Sequence, residues 1–253
     1  MSELFSIQLQ NRQQQGRDGV WLDLPTTTEQ VQAALRQIGI SSDNPQGLFI
    51  SGYFAEEEKR FAIPYNMVLA SNVDELNFLA SRLETLSTGE RAELNAALQA
   101  PQSELFSIGR ITDFPENVDY YVHLPDVHGP AQLGDYYLNR SGMVDMPEEW
   151  KGGIDTAQFG RYVAQQEQGA FTQYGYLVKS GDEWQKVHEG QPVPEEYRVL
   201  SFPAPEVLRD AANIPPPVQP ETEPQKVIPI ILNGKDSAER MKEITDRLET
   251  GIQ

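Results

Sequence analysis

The sequence predicts an α+β protein: a string of three small domains followed by a proline-rich linker and a short helix. Three observations predict it. Short apolar runs with β-branched and aromatic residues alternate with stretches of helical periodicity. Capping-box spacings open several of those stretches. Eight of the 18 prolines fall between Pro203 and Pro229, which separates the first 200 residues from the tail.

Residues 1–70 form the first strand and helix unit. Leu4 to Leu9, Val20 to Leu24 and Leu48 to Phe54 read as strands. Between the last two, Thr26 and Glu29 have capping-box spacing, and Val31, Ala34, Leu35 and Ile38 form an apolar stripe. Gly39 sits where a C-terminal cap belongs. Residues 71–110 read as a helical middle domain. Asn72 and Glu75 open one helix carrying Leu76, Leu79, Leu83 and Leu86. Ser87 and Glu90 open another with Leu94, Ala97 and Leu98, which Pro101 stops. Residues 111–201 form an acidic strand and helix domain, with strands at Val118 to Leu124 and Tyr174 to Lys179 and helices near 131–140 and 155–166.

Beyond these units, 202–235 reads as a linker, densest in proline over 203–229. In 236–253, Asp236 or Ser237 caps a last helix with Ala238, Met241, Ile244 and Leu248 on one face. A short amphipathic helix after a proline linker is marginal alone, so it is expected either to dock elsewhere or to begin a domain continuing beyond the chain, the second being the favoured reading.

Charge narrows the function. The 253 residues carry 38 acidic and 20 basic side chains, a formal charge of -18. Residues 1–200 hold 29 acids and 14 bases, and 113–155 alone hold nine acids against Arg140 and Lys151. Such a field repels nucleic acid and anionic lipid and favours a partner with a basic surface. The absence of cysteine excludes disulfides, thiolate metal sites and cysteine nucleophiles. The polar N-terminal segment is no secretory signal, and Val227 to Leu232 is too short to span a bilayer, so a cytoplasmic location without membrane contact is expected.

Chemistry-bearing motifs are scarce. No phosphate-binding loop, dinucleotide turn, nucleophile elbow or HExxH pair occurs, so the expectation is a protein that is not an enzyme and needs no cofactor. His123, Asp126 and His128 are the best metal candidates by spacing, but adjoining prolines make them loop residues, and no metal site is expected. The Glu56, Glu57, Glu58 run followed by Lys59 and Arg60 reads as a solvated turn. Tyr120, Tyr121, Tyr136 and Tyr137 lie among the acids, where they either fill core or contact a basic partner.

Four stretches carry a family resemblance: Trp21-Leu22-Asp23-Leu24-Pro25; Asp74-Glu75-Leu76-Asn77-Phe78-Leu79-Ala80 running to Leu86; Leu133-Gly134-Asp135-Tyr136-Tyr137; and Phe159-Gly160-Arg161 through Gly169, Phe171, Gly175 and Tyr176. In this order and spacing, residues 1–200 resemble the ArdA family of antirestriction proteins of conjugative plasmids and transposons. The resemblance implies a homodimer of elongated three-domain chains that occupies the DNA-binding groove of type I restriction-modification enzymes. Two departures are Tyr162, where the family often has an acid, and the glutamine-rich 10–15 segment. The tail resembles the start of a domain related to single-stranded DNA-binding antirestriction proteins.

The expected phosphate-mimicking surface comprises Glu56, Glu57, Glu58, Asp74, Glu75, Glu84, Glu90, Glu93, Asp113, Glu116, Asp119, Asp126, Asp135, Asp145, Glu148, Glu149 and Asp155. Two copies of residues 1–200 bring 58 carboxylates and 28 basic groups. Their net charge is of the order needed against about 40 phosphates of about 20 base pairs. A second reading is an acidic mobile-element adaptor for another basic protein, such as a relaxase, repressor or CRISPR effector. A third is a hydrolase of carbohydrate or a metal-dependent kind, which would require carboxylates or histidines converging in one cleft.

Overall fold

A computed structural model describes residues 4–14, 18–41, 45–56, 60–101 and 103–200. The expected linker and tail helix lie outside the described residues. The described chain is mixed α and β, with two three-stranded antiparallel sheets and eight α-helices.

The first sheet has the order β2-β1-β3, from β1 (Phe5–Asn11), β2 (Val20–Leu24) and β3 (Leu48–Phe54). Alternation along β1 buries Phe5, Ile7 and Leu9, and Ile7 pairs with Leu22 on one side and Tyr53 on the other. Helix α1 (Thr28–Gln37) covers this apolar face with Val31, Ala34 and Leu35. Its cap is Thr27 with Gln30, one residue later than the expected Thr26 and Glu29. Thr26 is drawn inward instead, its amide donating to Asn77 Oδ1 at 2.7 Å.

The middle helices follow the expected spacing. Asn72 and Glu75 cap α3 (Val73–Glu84), and Ser87 and Glu90 cap α4 (Thr88–Gln99), with both capping boxes complete. The stripe residues Leu76, Leu79 and Leu83 have no exposed surface. Each contributes about 1.5–3 kcal/mol by leaving water. Short helices α2 (Tyr65–Leu69) and α5 (Ile108–Thr112) flank this pair.

One buried apolar cluster runs from Leu4 through Leu35, Leu83, Leu94 and Ile111 to Leu177 and Val199. It draws on all three expected units, because α3 is buried over most of its circumference and packs between its neighbours in sequence. The core therefore continues across positions 70 and 110.

The second sheet has the order β4-β6-β5, from β4 (Tyr121–Leu124), β5 (Ala170–Thr172) and β6 (Gly175–Lys179). The strand expected over Val118 to Leu124 is half realised, since Val118–Tyr120 forms a single 3-10 turn before β4 begins. Helices α6 (Pro130–Asn139), α7 (Glu148–Lys151) and α8 (Thr156–Glu167) complete the fold. A smaller cluster of Val127, Leu133 and Tyr176 packs with residues of α6, α8 and the second sheet.

Candidate functional site

One acidic surface is built on α6, α7, α8 and the loops joining them. Pro130 starts α6 in the first turn, where its missing N–H costs no hydrogen bond. Asp155 caps α8, accepting the Gln158 N–H at 3.0 Å. Gly134 and Gly160 bring the two helices into close contact. Beneath them, the hydroxyls of Tyr137 and Tyr176 donate to the two carboxylate oxygens of Glu167. Burial, then the bond to Glu167, raises both tyrosines above the ordinary phenol range. The support of this surface is thus apolar packing plus one satisfied carboxylate.

Asp126, Asp145, Glu148, Glu149 and Asp155 are exposed on this support, and Asp135 is half-buried. Two of its three cations engage its acids, Arg140 pairing with Asp135 at 3.0 Å and Lys151 with Glu148 at 2.9 Å, and the third, Arg161 of α8, is exposed. Met143, Trp150 and Tyr162 stand exposed among them. Carboxylates and apolar side chains therefore share the surface.

Other expected surface acids serve the fold. Asp113 has no exposed surface, and its two carboxylate oxygens accept the N–H groups of His188 at 2.6 Å and Glu189 at 3.2 Å. This corrects its expected place: a partner cannot reach it. Glu116 is half-buried and pairs with Arg82. Asp74 Oδ1 accepts the N–H groups of Val199 at 2.7 Å and Leu200 at 2.8 Å. Glu75 and Glu90 close their capping boxes, and the Ser87 bonds hold Glu90 below the usual carboxylate range. Glu56 is exposed and Glu84 half-buried, while Glu57 and Glu58 lie outside the described residues.

Glu93 also departs from expectation. It is half-buried, Oε1 is enclosed without a hydrogen-bond partner, and burial with Glu90 and Asp119 nearby pushes its carboxyl up to about 8. At neutral pH it carries much less than a full charge. Asp119 is exposed.

The tyrosines divide. Tyr120 and Tyr121 are buried and Tyr136 and Tyr137 are half-buried against the smaller cluster. His123 Nε2 lies 2.7 Å from the Tyr174 carbonyl oxygen. Among the described residues, no group of three or more His, Cys, Asp and Glu is placed to hold a metal ion.

Three buried or nearly buried asparagines were not singled out from sequence. Asn77 accepts the Thr26 N–H and donates to Tyr197 O. Asn95 accepts the Ala62 N–H and donates to Arg60 O. Asn117 accepts the Gln185 N–H and donates to Gln185 O. Each carboxamide pairs with irregular chain as a peptide group would. The available signal was an asparagine on the apolar face of a helix, as at Asn77 beside Leu76 and Leu79.

Exposed carboxylates held on a packed support equip a protein to bind cationic surfaces. A family model described as antirestriction protein (ArdA) matches residues 15–178, and the chain belongs to that family. Comparison with curated proteins finds no match. Among the described residues, no helix is long and apolar enough to cross a membrane.

Proposed function

We propose that the protein protects incoming DNA by occupying the DNA-binding groove of a type I restriction-modification enzyme, with its carboxylates in the place of phosphates. The observation that carries this reading is the exposed group Asp126, Asp145, Glu148, Glu149 and Asp155, set on and beside a helix pair where Asp135 engages Arg140, Glu148 engages Lys151 and the acids outnumber the cations Arg140, Lys151 and Arg161. Family membership supports antirestriction, and the formal charge of -18 supports a basic partner. A preformed acidic surface also avoids the deformation energy that duplex DNA incurs when a protein bends it. The protein acts in this reading as a cytoplasmic homodimer without cofactor or catalysis.

The deciding experiment is competition. Purified protein is added to a type I methyltransferase core bound to labelled duplex containing its recognition site. Displacement of DNA with a steep dependence on salt is expected. An enzyme that retains its DNA at saturating protein would overturn the proposal.

A further inference from the structure

Helix α7 is a single turn that presents a tryptophan to solvent. Its backbone is fixed: the Trp150 N–H donates to the Pro147 carbonyl oxygen at 3.0 Å, and the Trp150 carbonyl oxygen accepts the Gly153 N–H at 3.0 Å. The Lys151 side chain is mostly covered, its Nζ 2.9 Å from Glu148 Oε2. The Trp150 indole stays 67% exposed. The other two tryptophans are engaged, Trp21 edge-on with Phe54 at 6.4 Å, and Trp184 with Tyr120 at 5.1 Å and the Arg110 guanidinium at 5.8 Å. Among the described residues the Trp150 ring meets neither another ring nor a cation. A ring this exposed adds little to the stability of the fold, since the gain comes from area removed from water.

Its surroundings select what can cover it. Asp145 and Glu149 are exposed and, among the described residues, engage no cation. An apolar partner seated on the indole would strip water from these carboxylates with nothing in exchange. A second copy of the chain would set them against their own kind. A planar cation meets both demands, because it lies against the indole, the best cation–π acceptor among side chains, within the field of free carboxylates. Arginine suits this better than lysine: its guanidinium stacks flat and is less strongly hydrated.

We propose that an arginine of the basic partner protein docks on this turn, its guanidinium against the Trp150 indole and within the field of Asp145 and Glu149. The inference rests on the reading above in taking the partner to be basic, and adds an aromatic anchor to a distributed charge surface. Tryptophan and arginine are among the residues that most often dominate binding at protein interfaces.

The test follows the three indole Nε1–H resonances of the full chain as acetylated hexa-arginine amide and, separately, hexa-lysine amide are added. Hexa-arginine is expected to move the Trp150 resonance saturably and to leave Trp21 and Trp184 in place, with hexa-lysine binding more weakly at the same salt concentration. Read from the amide resonances of 145–155, Trp150→Ala should weaken hexa-arginine by about two- to fivefold and remove its advantage over hexa-lysine, with Trp150→Phe in between. Amide resonances elsewhere that match wild type show that each variant keeps the fold. An unmoved Trp150 resonance, equal affinities for the two peptides, or a Trp150→Ala variant that binds as wild type would overturn the proposal. So would a Trp150 resonance that shifts on diluting the protein alone, which marks a contact between copies. The same variant is assayed for displacement of DNA from the type I core. There, enclosure by the partner raises the expected loss to about tenfold, with the salt dependence unchanged because no charge is removed. Undiminished displacement by Trp150→Ala removes the indole from the interface and leaves the proposed function standing. Wild-type protein that displaces no DNA, while hexa-arginine still moves Trp150, removes the proposed function and leaves the arginine site.

Discussion

Gly134 on α6 and Gly160 on α8 meet backbone to backbone. A Cβ placed on Gly134 would lie 1.9 Å from the Thr156 carbonyl oxygen, and one on Gly160 would lie 1.8 Å from that of Pro130. Both obstacles are main-chain atoms, so no side chain can swing aside. Alanine at either position must separate the helices that support the acidic surface, and each variant should lose about 2–4 kcal/mol. Gly89 in the first turn of α4 is the control: nothing lies within 4 Å of its added Cβ. Gly89→Ala should be neutral or stabilise by up to about 1 kcal/mol. Urea denaturation of the three variants checks the contrast.

Buried and exposed carboxylates should separate in the same measurement. Asp113→Asn replaces an acceptor of two backbone N–H groups by a side chain with one acceptor and one donor. A loss of about 2–4 kcal/mol is expected. Glu149→Gln, at an exposed site, should change stability by less than about 0.5 kcal/mol. Equal stabilities for the two variants would contradict the buried role of Asp113.

Glu93 gives a pH dependence of definite sign. Its folded carboxyl titrates near 8, above its ordinary 4.5, so the folded state holds a proton that the unfolded chain has released. Stability must therefore fall as pH rises between these values and level off above about 8. Glu93→Gln removes this contribution. Its stability relative to wild type should rise between pH 5 and pH 8 by about 1–2 kcal/mol, a figure reduced for the solvent-accessible part of the side chain. A difference independent of pH would place the Glu93 carboxylate in water.

Inhibition should respond to numbers of charges more than to any one. Asp126→Asn, Asp145→Asn and Glu149→Gln alone should each weaken binding to a type I core by less than about tenfold, since an exposed ion pair contributes about 0.2–1 kcal/mol. All three together with Asp119→Asn should weaken it by more than any single change and flatten its salt dependence. If one substitution abolishes inhibition and the fourfold variant inhibits normally, the carboxylates do not act as a distributed charge.

Elements with their own punctuation were legible in the sequence. Asn72 with Glu75 and Ser87 with Glu90 located α3 and α4 because capping is a local bond between residues three apart. The turn at Val118–Tyr120 was not, because its apolar residues fit a strand equally well and tertiary packing decides between them. The site was legible as a region more than as a set of groups. Asp145 and Glu149 are exposed and Asp113 is internal, although all three stand in one acidic stretch. Their difference depends on Asp113 meeting the amides of residues 75 and 76 positions away, which no local pattern records.

The anchoring of that distant segment sets a minimum length for the folding unit. The family model ends at Val178, yet Asp113, Asn117, Asn77 and Asp74 receive or bridge backbone groups between Gln185 and Leu200. A chain cut at the end of the family match would leave Asp113 and Asn117 stripped of those partners inside the protein and would open the Phe78 side of the core to water. The 22 residues from Lys179 to Leu200 act as a clasp, and their removal should yield a chain that aggregates or is rapidly degraded rather than a smaller inhibitor.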